Sequence, residues 1–216
     1  MYIDKSHEPK LAWKVIIADT SDEAGALGYH DFTPDGRPIS YVFVKDDLKY
    51  GYSPTVTATH EIAEMIADPW ISQLFQISDT QFFAQEIGDP VEDDSLGYEI
   101  KVDPYPSVLC SDFVTPRWFV PGSEGYILDH CQKVDKPLEL LPGGYMSVFT
   151  SGHGWNQIYA QKDTGTLSKV MSKQKLKGRY SRAYKYGRTR EHRPHFEHSI
   201  WGDKPHGDKA ADYSTQ

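Results

Sequence analysis

The chain has 216 residues, of which 38% are hydrophobic, and it carries a formal net charge of −8. This length suits one domain or at most two, and the apolar runs are too short for a membrane span or a signal peptide. Cys110 and Cys131 are too few for a disulfide scaffold and fit no cysteine zinc motif, so we expect two free thiols unless the fold pairs them.

Two strands are predicted near the start of the chain. Residues Lys14 to Asp19 and Ile39 to Lys45 are rich in β-branched and aromatic side chains, which favour strands. Glycines and prolines between the two segments indicate turns and loops.

A helix follows the second strand. Ser53 is a good N-cap, Pro54 suits the first helical position, and Pro69 prevents continuation. These signals predict a helix over about residues 54–68.

The predicted helix carries a metal-binding pattern. His60 and Glu64 lie one helical turn apart with Glu61 between them, and Asp68 lies one turn further along the same face. An imidazole and a carboxylate at this spacing can share a metal ion, and the carboxylate between them can serve as a general base. The alternative is an ordinary solvated helix, where His and Glu also occur four residues apart.

An acidic segment follows the helix. Glu86 lies 22 residues after Glu64, and Asp89 follows it after an apolar run around residues 82–84. Oxygen ligands from this segment could instead form a calcium site, and its distal end could be a simple acidic turn. The residues concerned are Glu86, Asp89, Glu92, Asp93 and Asp94.

The second half of the chain predicts short strands and loops without helical periodicity. The predicted strands are Tyr98 to Val102, Val108 to Val114, Trp118 to Val120 and Tyr145 to Thr150. The whole pattern favours an α+β fold with a mixed sheet over residues 1–165, with few helices.

Residues 166–216 are predicted to form a basic tail that is flexible or docked on a partner. Residues 1–168 carry a net charge of −15, whereas residues 169–216 carry +7. Interleaved basic and tyrosine residues could bind single-stranded nucleic acid, or the tail could dock on an acidic protein surface. The candidate contacts are Lys175, Lys177, Arg179, Arg182, Lys185 and Arg188.

Histidines outside the helix have simpler interpretations. His30, His130 and His153 are each predicted to be hydrogen-bonded structural residues. If Glu86 points away from the predicted metal site, His130 or His153 is the alternative third metal ligand. A tail cluster around His195 is predicted to be solvated rather than metal-binding.

The segment from His60 to about Asp89 resembles zincin metallopeptidases of the gluzincin type, which carry a His-Glu-x-x-His helix and a glutamate on a second helix. The resemblance implies that His60, Glu64 and Glu86 bind zinc and that Glu61 is the general base. Asp89 would orient the first histidine from the second shell. It also implies that the strand before the helix borders a cleft in which a peptide lies extended.

The chain departs from that family at Glu64, which stands where the peptidases have histidine. One imidazole and two carboxylates cancel the charge of Zn²⁺, so Mn²⁺ or Ca²⁺ become better competitors and bound water becomes less acidic. Asp68 is a further second-shell candidate. The expected function is that of a zinc-dependent metallopeptidase, a hydrolase acting on peptide or protein.

A second resemblance, to uncharacterised phage and bacterial proteins with a His-Glu-x-x-Glu helix, covers most of residues 11–160. It implies a phage context, so the alternative function is a virion or assembly protein with a structural or vestigial metal site. The expected location is then the host cytoplasm or the virion, with other virion proteins as partners. The matching pieces are residues 26–31, the helix through Asp68, residues 86–94, 97–100, 111–116 and 143–145.

Overall fold

The structure, a computed structural model, describes Pro9 and residues 11–22 and 26–160. Within these residues the fold is α+β, as the sequence predicts, and it contains two α-helices and three sheets. No helix in this part of the chain is both long and apolar enough to cross a membrane. The predicted basic tail and its six candidate contacts lie outside the described residues.

The first sheet contains the strands β1 (Lys14–Ala18), β2 (Gly28–Phe32) and β3 (Pro38–Phe43). Their order is β1-β3-β2, with β1 parallel and β2 antiparallel to β3. The expectation that the strand before the helix borders a peptide cleft is wrong, because β3 is central and paired on both sides. The glycine-rich segment predicted to be loop supplies the edge strand β2.

Two helices follow β3. The first, α1 (Val44–Tyr50), begins where the sequence predicts the end of a strand, and it ends at Gly51 in the left-handed conformation. The second, α2 (Pro54–Ala67), has Pro54 in its first turn and ends one residue earlier than predicted. The two are tied together by Thr57, whose hydroxyl donates to the buried Asp47 carboxylate at 2.7 Å.

The rest of the chain forms a four-stranded antiparallel sheet and a separate hairpin. The sheet has the order β4-β5-β8-β9, and the hairpin pairs β6 with β7. The strands are β4 (Leu74–Gln76), β5 (Gln81–Ala84), β6 (Tyr98–Val102), β7 (Tyr105–Cys110), β8 (Tyr145–Thr150) and β9 (Gly154–Tyr159).

The predicted strand around Trp118 is a 3-10 helix, Pro116–Phe119. Trp118 is fully buried and its indole N–H donates to the carbonyl oxygen of Glu139 at 2.9 Å, so tertiary packing decides the local conformation. The largest core cluster surrounds this side chain and contains Phe83, Val91, Val114, Trp118, Phe119, Leu128, Val134, Met146 and Val148.

Candidate metal centre

Six ionisable side chains from three segments meet in the interior. One comes from β2, three from α2 and two from the turn that follows β5, and each is at most 3% exposed. They are His30, His60, Glu61, Glu64, Glu86 and Asp89. Two histidines therefore share a buried site with four carboxyl groups.

Because Gly28 has no side chain, β2 can approach α2 closely. A Cβ at this position would lie 2.7 Å from Thr57 Cγ2 and 2.8 Å from Glu61 Oε1. Because side chains alternate along a strand, His30 points to the same face as Gly28 and so toward α2. The backbone of β2 thus carries an imidazole directly against the carboxylates of the helix.

A second glycine brings the turn after β5 against the ring of His60. A Cβ on Gly88 would lie 2.5 Å from His60 Nδ1. The backbone N–H of Gly88 also donates to Glu64 Oε1 at 3.1 Å, which fixes that carboxylate. The next residue after this glycine, Asp89, also lies in the centre.

The first donor group contains His60, Glu64 and Asp89. His60 Nε2 lies 3.3 Å from Glu64 Oε1 and 3.4 Å from Asp89 Oδ1. Zinc ligands at 2.0–2.2 Å in a tetrahedron lie about 3.4 Å from one another. The three donor atoms are therefore spaced as ligands of one cation would be.

The second donor group contains His30, Glu61 and Glu64. His30 Nδ1 lies 3.7 Å from Glu61 Oε2 and 3.5 Å from Glu64 Oε2. The other ring nitrogen, Nε2, faces Glu86 Oε2 at 3.7 Å. Glu64 belongs to both groups, through a different oxygen in each.

Several polar atoms of the centre make no hydrogen bond with the described residues. They are both ring nitrogens of His30 and of His60, Glu61 Oε2, and both carboxylate oxygens of Asp89. Buried polar groups in folded proteins are almost always hydrogen-bonded, since leaving one unsatisfied costs about 1–3 kcal/mol. The unsatisfied atoms lie close together, in groups that could hold a metal ion.

The charges of the centre act strongly on one another. Burial alone would lower the pKa of both imidazoles, but the pKa of His30 is raised well above its ordinary value by Glu86, Glu61 and Glu64. Burial acts to lower the pKa of His60 as well, but Glu64 and Asp89 outweigh it, so the pKa of His60 is also raised well above its usual value. The neighbouring carboxylates therefore favour the protonated form of both imidazoles when no metal cation is present.

The carboxyl groups respond unequally to burial. Burial raises the pKa of Glu61 and raises that of Asp89 well above its ordinary value, with Glu64 adding to the rise at Asp89. Burial acts in the same direction on Glu64, but His60 and His30 outweigh it and lower the pKa of this group. Glu64 is thus the carboxylate that is held most firmly in its ionised form.

Tyr145 borders the centre from β8. Its side chain is buried, and burial followed by the charges of Asp89 and Glu92 raises the pKa of its phenol well above the usual value. The phenol therefore remains protonated beside Asp89. This position suits a core aromatic residue and also an oxyanion donor.

The other predicted residues have separate roles. The Asp68 carboxylate accepts hydrogen bonds from the backbone N–H groups of Ser72 and Gln73 at 3.0 and 2.8 Å, and so holds the turn after α2. In the acidic turn, Asp93 accepts from Ser95 N, and Asp94 accepts from Ser53 N at 2.7 Å. These contacts are those of turn and helix-terminus residues.

The structure distributes the predicted ligands differently from the gluzincin pattern. Asp89, predicted to orient the first histidine, stands with His60 and Glu64, whereas the predicted ligand Glu86 faces His30. The prediction that His30 is hydrogen-bonded to a structural partner is wrong. The sequence signal that could have placed His30 is the alternation of side chains along a strand, because a strand over residues 28–32 puts His30 on the same face as Gly28.

The remaining residues of the prediction lie elsewhere. His130 and His153 are exposed, and His130 stacks on Phe113 with ring centroids 5.1 Å apart. Cys110 and Cys131 are free thiols, as expected.

Comparison of the chain with protein-family models, with curated proteins and with solved structures found no match. The function must therefore be inferred from the chemistry of the centre itself.

Proposed function

We propose that this protein is a zincin-like, metal-dependent hydrolase in which a divalent cation is held by His60, Glu64 and Asp89. The observation that carries the proposal is the donor spacing of 3.3 and 3.4 Å around His60 Nε2 in a fully buried site. Hydrogen bonds to described residues satisfy neither His60 nor Asp89, which leaves their donor atoms available to a cation.

Zinc is the first candidate, because it accepts mixed nitrogen and oxygen ligands in a tetrahedron. Two carboxylates and one neutral imidazole cancel its charge, so Mn²⁺ is a close competitor, and Ca²⁺ is less favoured because it prefers oxygen ligands. When bound, such a cation lowers the pKa of water and polarises a carbonyl group.

Glu61 is the proposed general base. Its carboxyl group lies beside the donor group on the same helix, and burial raises its pKa toward the range in which a carboxylate can accept a proton and return it. The substrate class inferred from the gluzincin resemblance is a peptide or protein, with Glu61 taking a proton from water and passing it to the leaving amine.

Burial favours a second candidate function. Catalytic zinc keeps an open position for water and substrate, whereas structural zinc is enclosed by protein. Every side chain of the centre is at most 3% exposed. The alternative is therefore a structural cation in a phage-related virion or assembly protein, with the basic tail making the contacts to partners.

The test is metal analysis of protein purified without chelators, together with peptide hydrolysis. His60→Ala should lose the cation, whereas Glu61→Gln should keep the cation on His60 and lose hydrolysis. His153→Ala is the matched control, because His153 is exposed.

Three outcomes separate the candidates. Protein without stoichiometric metal refutes both. Retained metal with hydrolysis unchanged in Glu61→Gln refutes the general base. Metal without hydrolysis in the wild-type protein, with partner association lost on deletion of residues 166–216, favours the structural role.

A further inference from the structure

We propose that the centre binds two divalent cations and that Glu64 bridges them. One cation is the one already assigned to His60, Glu64 and Asp89, so the inference rests on the proposed function. The second lies between His30, Glu61 and Glu64, whose ligand atoms all lie within 4.8 Å of one another.

The two oxygens of Glu64 face different histidines. Oε1 lies 3.3 Å from His60 Nε2, and Oε2 lies 3.5 Å from His30 Nδ1. A carboxylate placed in this way can give one oxygen to each of two cations. Two-metal hydrolytic sites hold their ions about 3.5–4 Å apart, a separation that a bridging carboxylate can span.

His30 supplies an independent reason for a second cation. It is only 1% exposed, it points into the donor group, and neither of its ring nitrogens makes a hydrogen bond with the described chain. Its Nδ1 lies 3.5 and 3.7 Å from two carboxylate oxygens, close to the ligand separations expected around one metal ion. An imidazole with these contacts is placed as a ligand.

The charge of the centre also favours two cations. Glu61, Glu64, Glu86 and Asp89 bring four carboxyl groups into a region that is buried from bulk solvent. Two divalent ions balance four carboxylates when both imidazoles are neutral, whereas one ion leaves two negative charges buried. The competing explanation is that a protonated His30 stands in for the second ion.

The arrangement gives Glu86 a role that differs from the predicted one. Glu86 faces His30 Nε2, the ring nitrogen opposite the proposed ligand atom. A metal-bound histidine commonly donates its other ring N–H to a carboxylate, which fixes the tautomer and orients the ring. Glu86 is then a positioning residue for His30.

In the two-cation centre Glu61 is a ligand of the second cation through one oxygen, and this role replaces the general-base role that it has with a single cation. Its Oε2 faces His30, whereas its Oε1 lies on the side of Gly28. Replacing this carboxylate by an amide should therefore weaken the second cation while leaving the first cation on His60. The first cation, on His60, is the one that the proposed function expects Glu61→Gln to keep.

The experiment loads metal-free, full-length protein with Zn²⁺ or Mn²⁺ and counts the bound ions. We expect two per chain for the wild type and for the exposed-histidine control His153→Ala, and one for His30→Ala. Wild-type protein with two equivalents of Mn²⁺ should give the electron paramagnetic resonance signal of a spin-coupled pair, and His30→Ala should give that of an isolated ion.

The outcomes distinguish the two proposals. One ion per wild-type chain without spin coupling overturns the two-cation centre and leaves the proposed function standing, with a protonated His30 as the explanation. No bound ion overturns both proposals. The wild-type measurements decide the question even if His30→Ala fails to fold, which circular dichroism would reveal.

Discussion

Replacing Gly88 by alanine tests whether His60 is a metal ligand without changing any ionisable group. Gly88 has φ −84° and ψ −33°, a conformation open to every L-residue, so the substitution adds no backbone strain. The added Cβ would lie 2.5 Å from His60 Nδ1 and 2.6 Å from Cε1. Its whole effect is therefore a collision with the imidazole.

The size of the effect follows from these distances. Optimal carbon contacts lie near 3.5–4.0 Å, so the ring and the turn must separate by about 1 Å. Overpacking of this kind costs about 1–3 kcal/mol, and losing the correct orientation of a metal-binding histidine costs about 10–100-fold in affinity. We expect Gly88→Ala to show both changes.

The assay compares metal affinity with stability of the metal-free protein. Competition with a chromophoric chelator gives the affinity, and urea denaturation gives the free energy of unfolding. Gly36→Ala is the control, because Gly36 has φ +80° with no atom within 4 Å of an added Cβ. It should lose about 1–2 kcal/mol through left-handed strain while its metal affinity stays unchanged.

The opposing result is a Gly88→Ala protein that loses stability as Gly36→Ala does but binds the cation as tightly as the wild type. That result would mean that the position of the His60 ring does not matter to the cation. The assignment of His60, Glu64 and Asp89 as one donor group would then be wrong.

Three further predictions concern stability. Burial, followed by the neighbouring Asp129, raises the pKa of Asp112 from 3.8 to about 6, so the folded state holds an extra proton between these values and stability falls as pH rises through them. The full shift is worth about 3 kcal/mol, and solvent screening reduces it to about 1 kcal/mol. Asp112→Asn should therefore be more stable than the wild type at pH 7 and equal to it near pH 4 in urea denaturation, and equal stability at both pH values would contradict the raised pKa of Asp112. Asp68→Ala should cost about 1–3 kcal/mol, because it leaves the N–H groups of Ser72 and Gln73 without their acceptor, and an unchanged unfolding midpoint would refute this role. Adding Zn²⁺ at 100 times its dissociation constant should raise the stability of metal-free protein by about 2.7 kcal/mol, and a melting temperature unmoved by Zn²⁺ would exclude binding to the folded state.

The helix α2 could be predicted from the sequence because its signals are local. Pro54 and Pro69 bound the segment, and the helical repeat alone puts His60 and Glu64 on one face. Both side chains are buried, which depends on tertiary packing and cannot be read from the helical pattern. The spacing therefore indicated the first two donor residues but not that they are buried.

Strand β2 could not be predicted in this way. Its glycine and the nearby prolines indicate turns, and its pairing with β3 and its contact with Glu61 join residues far apart in sequence. His30 enters the centre only through that pairing. Trp118 was mispredicted for the same reason, because burial and a bond to Glu139 outweigh the local preference for a strand.

The positions of Glu86 and Asp89 depend on a tight turn. Gly88 leads into a short 3-10 helix, Asp89–Val91, and Val91 is fully buried in the main core. Asp89 meets His60, whereas Glu86, on the other side of Gly88, faces His30. Spacing along the chain shows that both carboxylates can reach α2, but it does not show which histidine each one meets.

The centre lowers the stability of the fold, because it buries ionisable groups. This loss of stability supports the proposal that the centre binds a cation. Buried ion pairs are often replaced by apolar residues without loss of stability, so a cluster of four carboxyl groups and two imidazoles does not serve folding alone. Protonated histidines can offset part of the charge, but they leave the ring nitrogens at 3.3–3.7 Å from the nearest carboxylates, longer than good charged hydrogen bonds. Cations placed between these atoms would satisfy both the charge and the distances.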